Sequence, residues 1–252
     1  MKKQNRNYYR ILNEFINLQS PFDVDILGTI IYEQGYPFLS LHTHSKLAKY
    51  NVVINSGAHG EETIGIKVML RFLQEFDTGL LGTYNFIIFP IVNPHGYCFS
   101  VRRNGNKQFV NGNCYTKEPL PVSVPEFLLM KEKIPNKVDL FIDIHADRTK
   151  NGYYIYERKR PEKKSLAIYG VDALLKEKLP VIEAGTVYKE KCERGIIVQP
   201  EKDNSMDDFM FNRGAIYSLC LEIPGKLTED KQIIGGLILL KTILTNFKEA
   251  IK

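Results

Sequence analysis

Two histidines and one glutamate have the residue types and the spacing of a metal site. His59 and Glu62 lie three positions apart in "SGAHGEET", and His145 follows the apolar run "LFIDI". Zinc in hydrolases is commonly bound by two histidines and one glutamate, which leave a position for water. The pattern therefore predicts one zinc ion per chain, bound by His59, Glu62 and His145. Glu61 is the competing carboxylate, and the spacing favours Glu62.

An alternative interpretation gives each of these three side chains a structural role. Glu62 would then be an early-helix acid that the helix dipole stabilises, and the two histidines would lie in a turn and in the core. Each residue taken alone favours that interpretation. The three together favour a metal site, because all of them fall where predicted strands end.

A further carboxylate, Glu222, lies in the otherwise apolar segment "SLCLEIPG". Burying an unpaired carboxylate is costly, so Glu222 has either a buried arginine as its partner or a chemical use, and we favour the use. A hydrolytic zinc site needs a general base beside the attacking water, and Glu222 is the candidate. Arg102 and Arg103, in "SVRRNGN", are candidates for stabilising negative charge on a carbonyl oxygen, with exposed surface charge as the alternative.

The pattern of apolar residues predicts the elements that position these side chains. Helices are expected at residues 5–19, 61–76 and 229–250, and strands at 24–33, 38–43, 51–55, 85–93, 138–145 and 216–223. The "GYP" between the first two strands predicts a hairpin. Apolar strands separated by helices indicate a three-layer α/β/α sandwich with a mixed, largely parallel central sheet. Ligands bind such sheets beyond the carboxyl ends of the strands.

The composition predicts one globular catalytic domain that spans residues 1–252. The chain is 44% hydrophobic and 25% charged, and a core of this size needs no metal for folding, so a metal would serve chemistry. The net charge of +5 comes from scattered side chains, with mild clusters at 1–10 and 157–164. We interpret both clusters as solvated surface, although a basic rim would also suit an anionic substrate. Neither cluster has the interleaved aromatics of a nucleic-acid platform.

The termini and the cysteines predict a cytoplasmic protein with reduced thiols. The N-terminal segment is polar and basic without an apolar region behind it, so we expect no signal peptide. No apolar run approaches the length of a membrane span. No pair of cysteines has the spacing of a zinc knuckle; the four are Cys98, Cys114, Cys192 and Cys220.

Taken in chain order, the motifs resemble those of the zinc carboxypeptidases of the funnelin type. The resemblance rests on "HGEE" (59–62), "NPHG" (93–96), "RRNGN" (102–106), "VNGN" (110–113), "DIHAD" (143–147) and "CLEIPG" (220–225). The short chain, "DIHA" and "LEIPG" look most like the small bacterial murein-peptide amidases of this family, which cleave the γ-D-glutamyl–diaminopimelate bond.

The resemblance implies a role for each matched residue. His59, Glu62 and His145 would bind zinc, and Glu222 would be the general base and then the proton donor to the leaving amine. Arg102 would stabilise the oxyanion, with Arg103 as the fallback. Asn111 would help to bind the terminal carboxylate of the substrate. Asp207 falls at or next to the position that contacts the released residue, where an aspartate favours a cationic group.

The chain departs from the family pattern in the substrate pocket. The Asn-Arg pair of the family reads Asn111-Gly112 here, and the missing arginine normally binds the terminal carboxylate with two hydrogen bonds. Candidate substitutes are Arg103, Arg194 and Arg213. No tyrosine lies at the expected place before "NSMDD", where the family has a flexible substrate-capping tyrosine.

Two further residues bear on these departures. Tyr188 is a candidate stand-in for the capping tyrosine, although its place in the sequence differs. His95 occupies the position of an aspartate in "NPHG", and we expect it near the site rather than on the metal.

Three functions follow from these motifs. The first is a zinc metallopeptidase or peptide amidase that cleaves an amide bond in a small peptide, such as a cell-wall peptide. The second is a zinc-dependent deacylase of acyl-amino acids, because a lost carboxylate clamp would suit a changed substrate. The third is a catalytically inactive binding domain, and the complete set of ligands argues against it.

Overall fold

The computed structural model describes residues 4–19, 21–112, 114, 124–198 and 204–252. Within these ranges the helices are α1 Tyr8–Ile16, α2 Thr63–Gln74, α3 Pro94–Phe99, α4 Pro125–Lys133, α5 Ala167–Lys176, α6 Met206–Asn212 and α7 Glu229–Ala250. The strands are β1 Asp23–Ile31, β2 Gly35–His42, β3 Tyr50–Ser56, β4 Tyr84–Phe89, β5 Leu140–Asp147, β6 Tyr154–Lys159, β7 Ala184–Val187, β8 Glu190–Glu193, β9 Ile196–Val198 and β10 Tyr217–Pro224. A short 3-10 helix spans Thr78–Gly82.

The strands form one mixed sheet with the order β1-β2-β4-β3-β5-β10-β6-β9-β8-β7. The four central strands β4, β3, β5 and β10 run parallel. The β1–β2 hairpin adds antiparallel strands at one side, and the other side mixes both directions. The predicted sandwich with a mixed sheet is confirmed, and the parallel pairing is concentrated at the centre, where the strands are apolar throughout.

Helices cover both faces of the central sheet, as β10 illustrates. The Tyr217 hydroxyl donates to the carbonyl oxygen of Ala250 in α7, whereas the next residue, Ser218, donates to Asp207 in α6. Successive strand residues point to opposite faces, so α6 and α7 lie on opposite sides of the sheet. Helices α2 and α5 both pack against α7. No helix of the described ranges is long and apolar enough to span a membrane.

Several predicted elements are shorter than the apolar pattern indicates, and two of them show why. The strand expected at 85–93 stops at Phe89, because Pro90 has no N–H for the ladder. The helix expected at 61–76 begins at Thr63. Glu62 is therefore the residue before the helix, not a residue of its first turn, and its backbone is non-helical. The C-terminal helix 229–250 has the predicted bounds.

Candidate metal centre and substrate cavity

The loop between β3 and α2 holds His59 through a close contact between two glycines. A Cβ atom on Gly60 would lie 1.8 Å from the carbonyl carbon of Gly96. Only glycine allows this approach, which packs the "HGEE" loop against the first turn of α3. Asn93 joins the same two segments, because its Oδ1 accepts from the Gly96 N–H at 2.8 Å and its Nδ2 donates to the carbonyl oxygen of Ala58 at 3.4 Å.

The structure brings His59, Glu62 and His145 together at the carboxyl ends of β3 and β5. One ligand atom from each side chain lies within 4.8 Å of the other two. All three residues are buried, with 4–6% of their surface exposed. Oε2 of Glu62 lies 3.1 Å from Nδ1 of His145 and accepts from the Ala146 N–H at 3.1 Å. The His-Glu-His group expected from the sequence is therefore present.

The chemistry of this group fits a zinc ion. Nδ1 of His59 is buried and has no hydrogen-bond partner within the described residues. Burial and the neighbouring His145 lower the pKa of His59 to about 3, so its imidazole is neutral. Burial raises the pKa of Glu62, but the hydrogen bond and the charge of His145 lower it by more, so the carboxylate is ionised. His59 and Glu62 are therefore in the protonation states that metal binding requires.

Asp143 is a residue of this centre that the sequence interpretation did not assign. Its side chain is fully buried in β5, and Oδ2 lies 3.0 Å from Nε2 of His145. Metal-binding histidines usually have such a carboxylate at their second nitrogen, which fixes the ring and its tautomer. Burial lowers the pKa of His145, but Asp143 and Glu62 raise it by more. The signal in the sequence was an aspartate two positions before His145 in an apolar strand.

Glu222 reaches the same centre from the neighbouring strand. The parallel register of β10 and β5 pairs Glu222 with His145, so both side chains lie on one face. Burial raises the pKa of Glu222 to about 8, and the acidic neighbours Glu62 and Asp147 act in the same direction. A carboxyl group whose pKa lies near neutrality can both take up and return a proton.

Arg102 lies across the cavity from β10. Its Nη1 is 2.9 Å from Oε1 of Glu62 and 3.7 Å from Oε1 of Glu61, and half of its side chain is exposed. Nδ2 of Asn93 donates to the Arg102 carbonyl oxygen at 3.3 Å. The guanidinium therefore stands at the rim of the metal centre, where a substrate carbonyl can reach it.

Two cavity lobes meet at Arg102 and Glu222. The first lobe has a volume of about 250 Å³, and besides these two residues it is lined by His59, Asn111, His145, Tyr156, Glu190, Ser205, Asp207 and Cys220. The second lobe has a volume of about 210 Å³ and is lined by Glu61, Glu62, Ala146, Asp147, Arg148, Thr149, Tyr154 and Tyr188 as well as the shared pair. Arg102 and Glu222 therefore border both lobes.

Asn111 and Asp207 both lie on the wall of the first lobe. Oδ1 of Asn111 accepts from the Met206 N–H at 2.9 Å, and its Nδ2 lies 3.3 Å from Nε2 of His145. Oδ1 of Asp207 accepts from the Ser218 hydroxyl at 3.1 Å, and Asp207 is 3% exposed. The two residues predicted to contact the released part of the substrate therefore share one lobe with the metal centre.

The arginines named as substitutes for the missing clamp lie elsewhere. Arg103 donates to the Lys107 carbonyl oxygen at 2.8 Å and stacks on Phe109, so it points away from both lobes. Nη2 of Arg194 lies 2.6 Å from Oδ1 of Asp172, and Arg213 donates to Asn136 at 3.3 Å.

The backbone conformation at position 112 favours glycine. Its φ is +113°, which lies in the region that L residues with a side chain rarely adopt. An arginine at position 112 would therefore be strained in this backbone conformation. Asn113, the last residue of "VNGN", lies outside the described residues.

Tyr188 stands at the mouth of the second lobe. It lies on the turn between β7 and β8, and its hydroxyl donates to Oδ2 of Asp147 at 2.9 Å. Tyr154 donates to the same oxygen at 2.9 Å. Glu190, at the start of β8, lines the first lobe, so one hairpin contributes to both lobes. The sequence interpretation named Tyr188 but did not find Glu190.

His95 and Glu61 lie outside the His-Glu-His group. Nε2 of His95 is 3.4 Å from Oε2 of Glu33, and its ring packs edge-on against Tyr32 and Tyr36. Glu61 lines the second lobe instead of joining the three ligands.

Residues 24–119 match the family model of the zinc carboxypeptidases. No curated protein matches the sequence. The fold is similar to the crystal structure of a "putative metallopeptidase" from Shewanella amazonensis, with a TM-score of 0.80 and 24% identity over 95% of this chain and 91% of that one.

Two carboxypeptidase structures from other bacteria share the fold. A metallo-carboxypeptidase from Burkholderia cenocepacia gives a TM-score of 0.72 at 18% identity, over 96% of this chain and 68% of that one. A metallo-carboxypeptidase from Pseudomonas aeruginosa, in complex with (2-guanidinoethylmercapto)succinic acid, gives a TM-score of 0.71 at 17% identity, over 96% of this chain and 68% of that one. Together with the family match, these structures confirm the resemblance to the zinc carboxypeptidases.

Proposed function

From the zinc carboxypeptidase fold and the family match, we propose that this chain is a zinc-dependent hydrolase that cleaves an amide bond in a small peptide. The observation that carries the proposal is the buried His-Glu-His group, which shares one cavity with Glu222 and Arg102. Structural roles alone do not account for two histidines and two carboxylates that converge on a solvent-accessible cavity.

His59, Glu62 and His145 would bind one zinc ion, as tetrahedral sites with three protein ligands do. The ion would supply Lewis-acid activation of water and of the scissile carbonyl. Glu222 takes a proton from the attacking water at its carboxylate and later gives it to the leaving amine. Arg102 donates hydrogen bonds to the carbonyl oxygen as negative charge develops there.

The first lobe supports a preference for a cationic group on the released residue. Asp207 and Glu190 place two carboxylates there, and of the described residues that line this lobe, Arg102 is the sole lysine or arginine. A lysine or arginine side chain, or the amino end of diaminopimelate, would place its cation beside Asp207. Asn111 would bind the carboxylate of the released residue through its Nδ2.

A panel of four substrates tests the proposal on the zinc-loaded protein. The panel contains a peptide with a C-terminal lysine, the matched peptide with a C-terminal norleucine, a γ-D-glutamyl–diaminopimelate peptide and N-acetylglutamate. We expect hydrolysis of at least one peptide, with lysine preferred to norleucine. An amidated C-terminus on the lysine peptide shows whether cleavage needs a free carboxylate.

The panel also tests the alternative functions. Hydrolysis of N-acetylglutamate but of none of the peptides would show that the chain is a deacylase instead of a peptidase. Gly112 favours this alternative, because it stands where the family has the arginine of its carboxylate clamp. Hydrolysis of none of the four, with zinc bound, would contradict the proposed function. Binding of (2-guanidinoethylmercapto)succinic acid by calorimetry would then show whether the cavity still accepts a guanidinium compound.

A further inference from the structure

The loop that carries Arg102 closes around one buried amide side chain, that of Asn104. Oδ1 of Asn104 accepts from the backbone N–H of Asn106 at 3.1 Å and of Gln108 at 3.0 Å. The Asn104 N–H donates to the carbonyl oxygen of Gln108 at 3.0 Å. Asn104 is 2% exposed. The shape of the segment between Arg102 and Gln108 therefore depends on the orientation of this side chain.

A buried carboxylate, Glu126 of α4, fixes that orientation. Its Oε2 accepts from Nδ2 of Asn104 at 3.1 Å, and its Oε1 accepts from the Tyr32 hydroxyl at 2.7 Å. Glu126 is fully buried. Burial raises its pKa, and the hydrogen bonds from Tyr32 and Asn104 offset only part of that effect. Burying a carboxyl group costs free energy, so its presence beneath this loop indicates a role in holding the loop.

Tyr32 attaches the loop to the end of β1. A Cβ atom on Gly105 would lie 2.3 Å from Cγ of Tyr32, so the loop backbone rests directly on the tyrosine ring. On the other side, Asn93 donates to the Arg102 carbonyl oxygen. The segment is therefore held from the metal-centre side by Asn93 and from the opposite side by Asn104.

We propose that Tyr32, Asn104 and Glu126 form a clamp that positions Arg102 for the reaction. None of the three lines either cavity lobe, so they are positioning residues that act through the loop. Half of the Arg102 side chain is exposed, and its own contacts to Glu61 and Glu62 would not hold its backbone. The proposal rests on the proposed hydrolytic function, because Arg102 stabilises an oxyanion only there.

A double-mutant cycle tests the clamp on the zinc-loaded protein. Asn104→Ala should lower kcat/KM about 10- to 100-fold on the best substrate of the panel, mostly through kcat. In an Arg102→Ala background the same substitution should cause almost no further loss, because the positioned group is gone. Equal losses in both backgrounds would overturn the proposal, and so would wild-type activity in Asn104→Ala.

Hydrogen exchange tests the clamp independently of activity. In Asn104→Ala and in Glu126→Gln, the backbone amides of Asn106 and Gln108 should exchange at least several-fold faster. Asn106→Ala is the matched control, because its side chain is exposed, and its exchange and kcat should match those of the wild type. Unchanged exchange of these amides in both clamp variants would refute the clamp, whether or not the wild type hydrolyses a peptide. Absence of peptide hydrolysis by the wild type would contradict only the proposed function.

Discussion

The metal centre and the substrate rim of this molecule are built in different ways. The ligands His59, Glu62 and His145 are buried at strand ends and at a helix start, and their neighbours are backbone amides and other side chains of the core. Arg102 and Tyr188, on the rim, are half or more exposed and come from a loop and a hairpin turn.

This difference largely separates the residues that bind the metal from the residues that select the substrate. A scaffold of parallel strands fixes the ligand geometry, whereas loops supply the groups that choose the substrate. Substitutions in the metal centre should therefore abolish the reaction or the binding of zinc. Substitutions at Tyr188 on the rim should change which substrate reacts, whereas loss of Arg102, the one rim residue that acts on the carbonyl oxygen, should lower kcat.

The largest effect is expected at Glu222, which lies beside the metal centre and lines both cavity lobes. Glu222→Gln removes the proton acceptor, so kcat should fall about 10²- to 10⁴-fold. Zinc content measured by metal analysis should remain that of the wild type. Glu157→Gln is the matched control, since Glu157 is also a strand carboxyl group but lines neither lobe and accepts from the Leu166 and Ala167 N–H groups, and it should retain most of the activity. Full activity in Glu222→Gln would show that another group is the base.

The next effect is expected at Asp143, inside the metal centre. Asp143→Asn should weaken zinc binding about 10- to 100-fold, because the carboxylate that orients His145 is lost. Competition with a chelator measures the affinity. Asp139→Asn offers a comparison from just before β5, since Asp139 is also buried but accepts from the Asn51 N–H instead. Equal zinc affinity in Asp143→Asn and the wild type would remove Asp143 from the centre.

Asp207, on the wall of the first lobe, tests the substrate cavity, where selectivity rather than rate should change. Asp207→Asn should lower kcat/KM for the C-terminal lysine peptide about 10-fold or more, since a hydrogen bond to a charged group contributes about 1.5–3 kcal/mol. The norleucine peptide should react at nearly the wild-type rate. An equal fall in kcat/KM for both peptides would indicate that Asp207 holds α6 in place and does not contact the cation of the substrate.

The smallest effect is expected at Tyr188, the most exposed residue of the comparison. Its φ is +48°, a conformation that costs about 1–2 kcal/mol for a residue with a side chain. Tyr188→Gly should therefore raise the free energy of unfolding by up to about 1 kcal/mol, measured in urea, while KM rises several-fold. Tyr188→Phe keeps the strain and loses only the hydrogen bond to Asp147. Lower stability in Tyr188→Gly than in Tyr188→Phe would contradict this assignment of strain.

The contrast between the metal centre and the rim also explains which site residues could be predicted from the sequence. His59, Glu62, His145 and Glu222 follow from residue type and from the rule that strand ends meet at one edge of the sheet. The fold follows from apolar strands alternating with helices. These features depend on local patterns, which a sequence displays directly.

The rim depends on long-range contacts that no local pattern shows. Arg103 and Arg102 are neighbours of the same type, and contacts with the Lys107 carbonyl oxygen and the Phe109 ring hold Arg103 away from both lobes. Glu190 lines the first lobe although β8 is three strands away from β10 in the sheet. Asp143 had a readable signal, an aspartate in an apolar strand two residues before His145. Its contact with Nε2 of His145 became visible only in the structure.

The central claim is tested most directly by adding zinc to the metal-free protein while peptide hydrolysis is followed. The account predicts that activity on the panel rises to a plateau at about one equivalent of zinc per chain. His145→Ala should give no such rise at the same zinc concentrations. Full hydrolysis by the metal-free wild type, or an equal rise in His145→Ala, would contradict a zinc centre built from His59, Glu62 and His145.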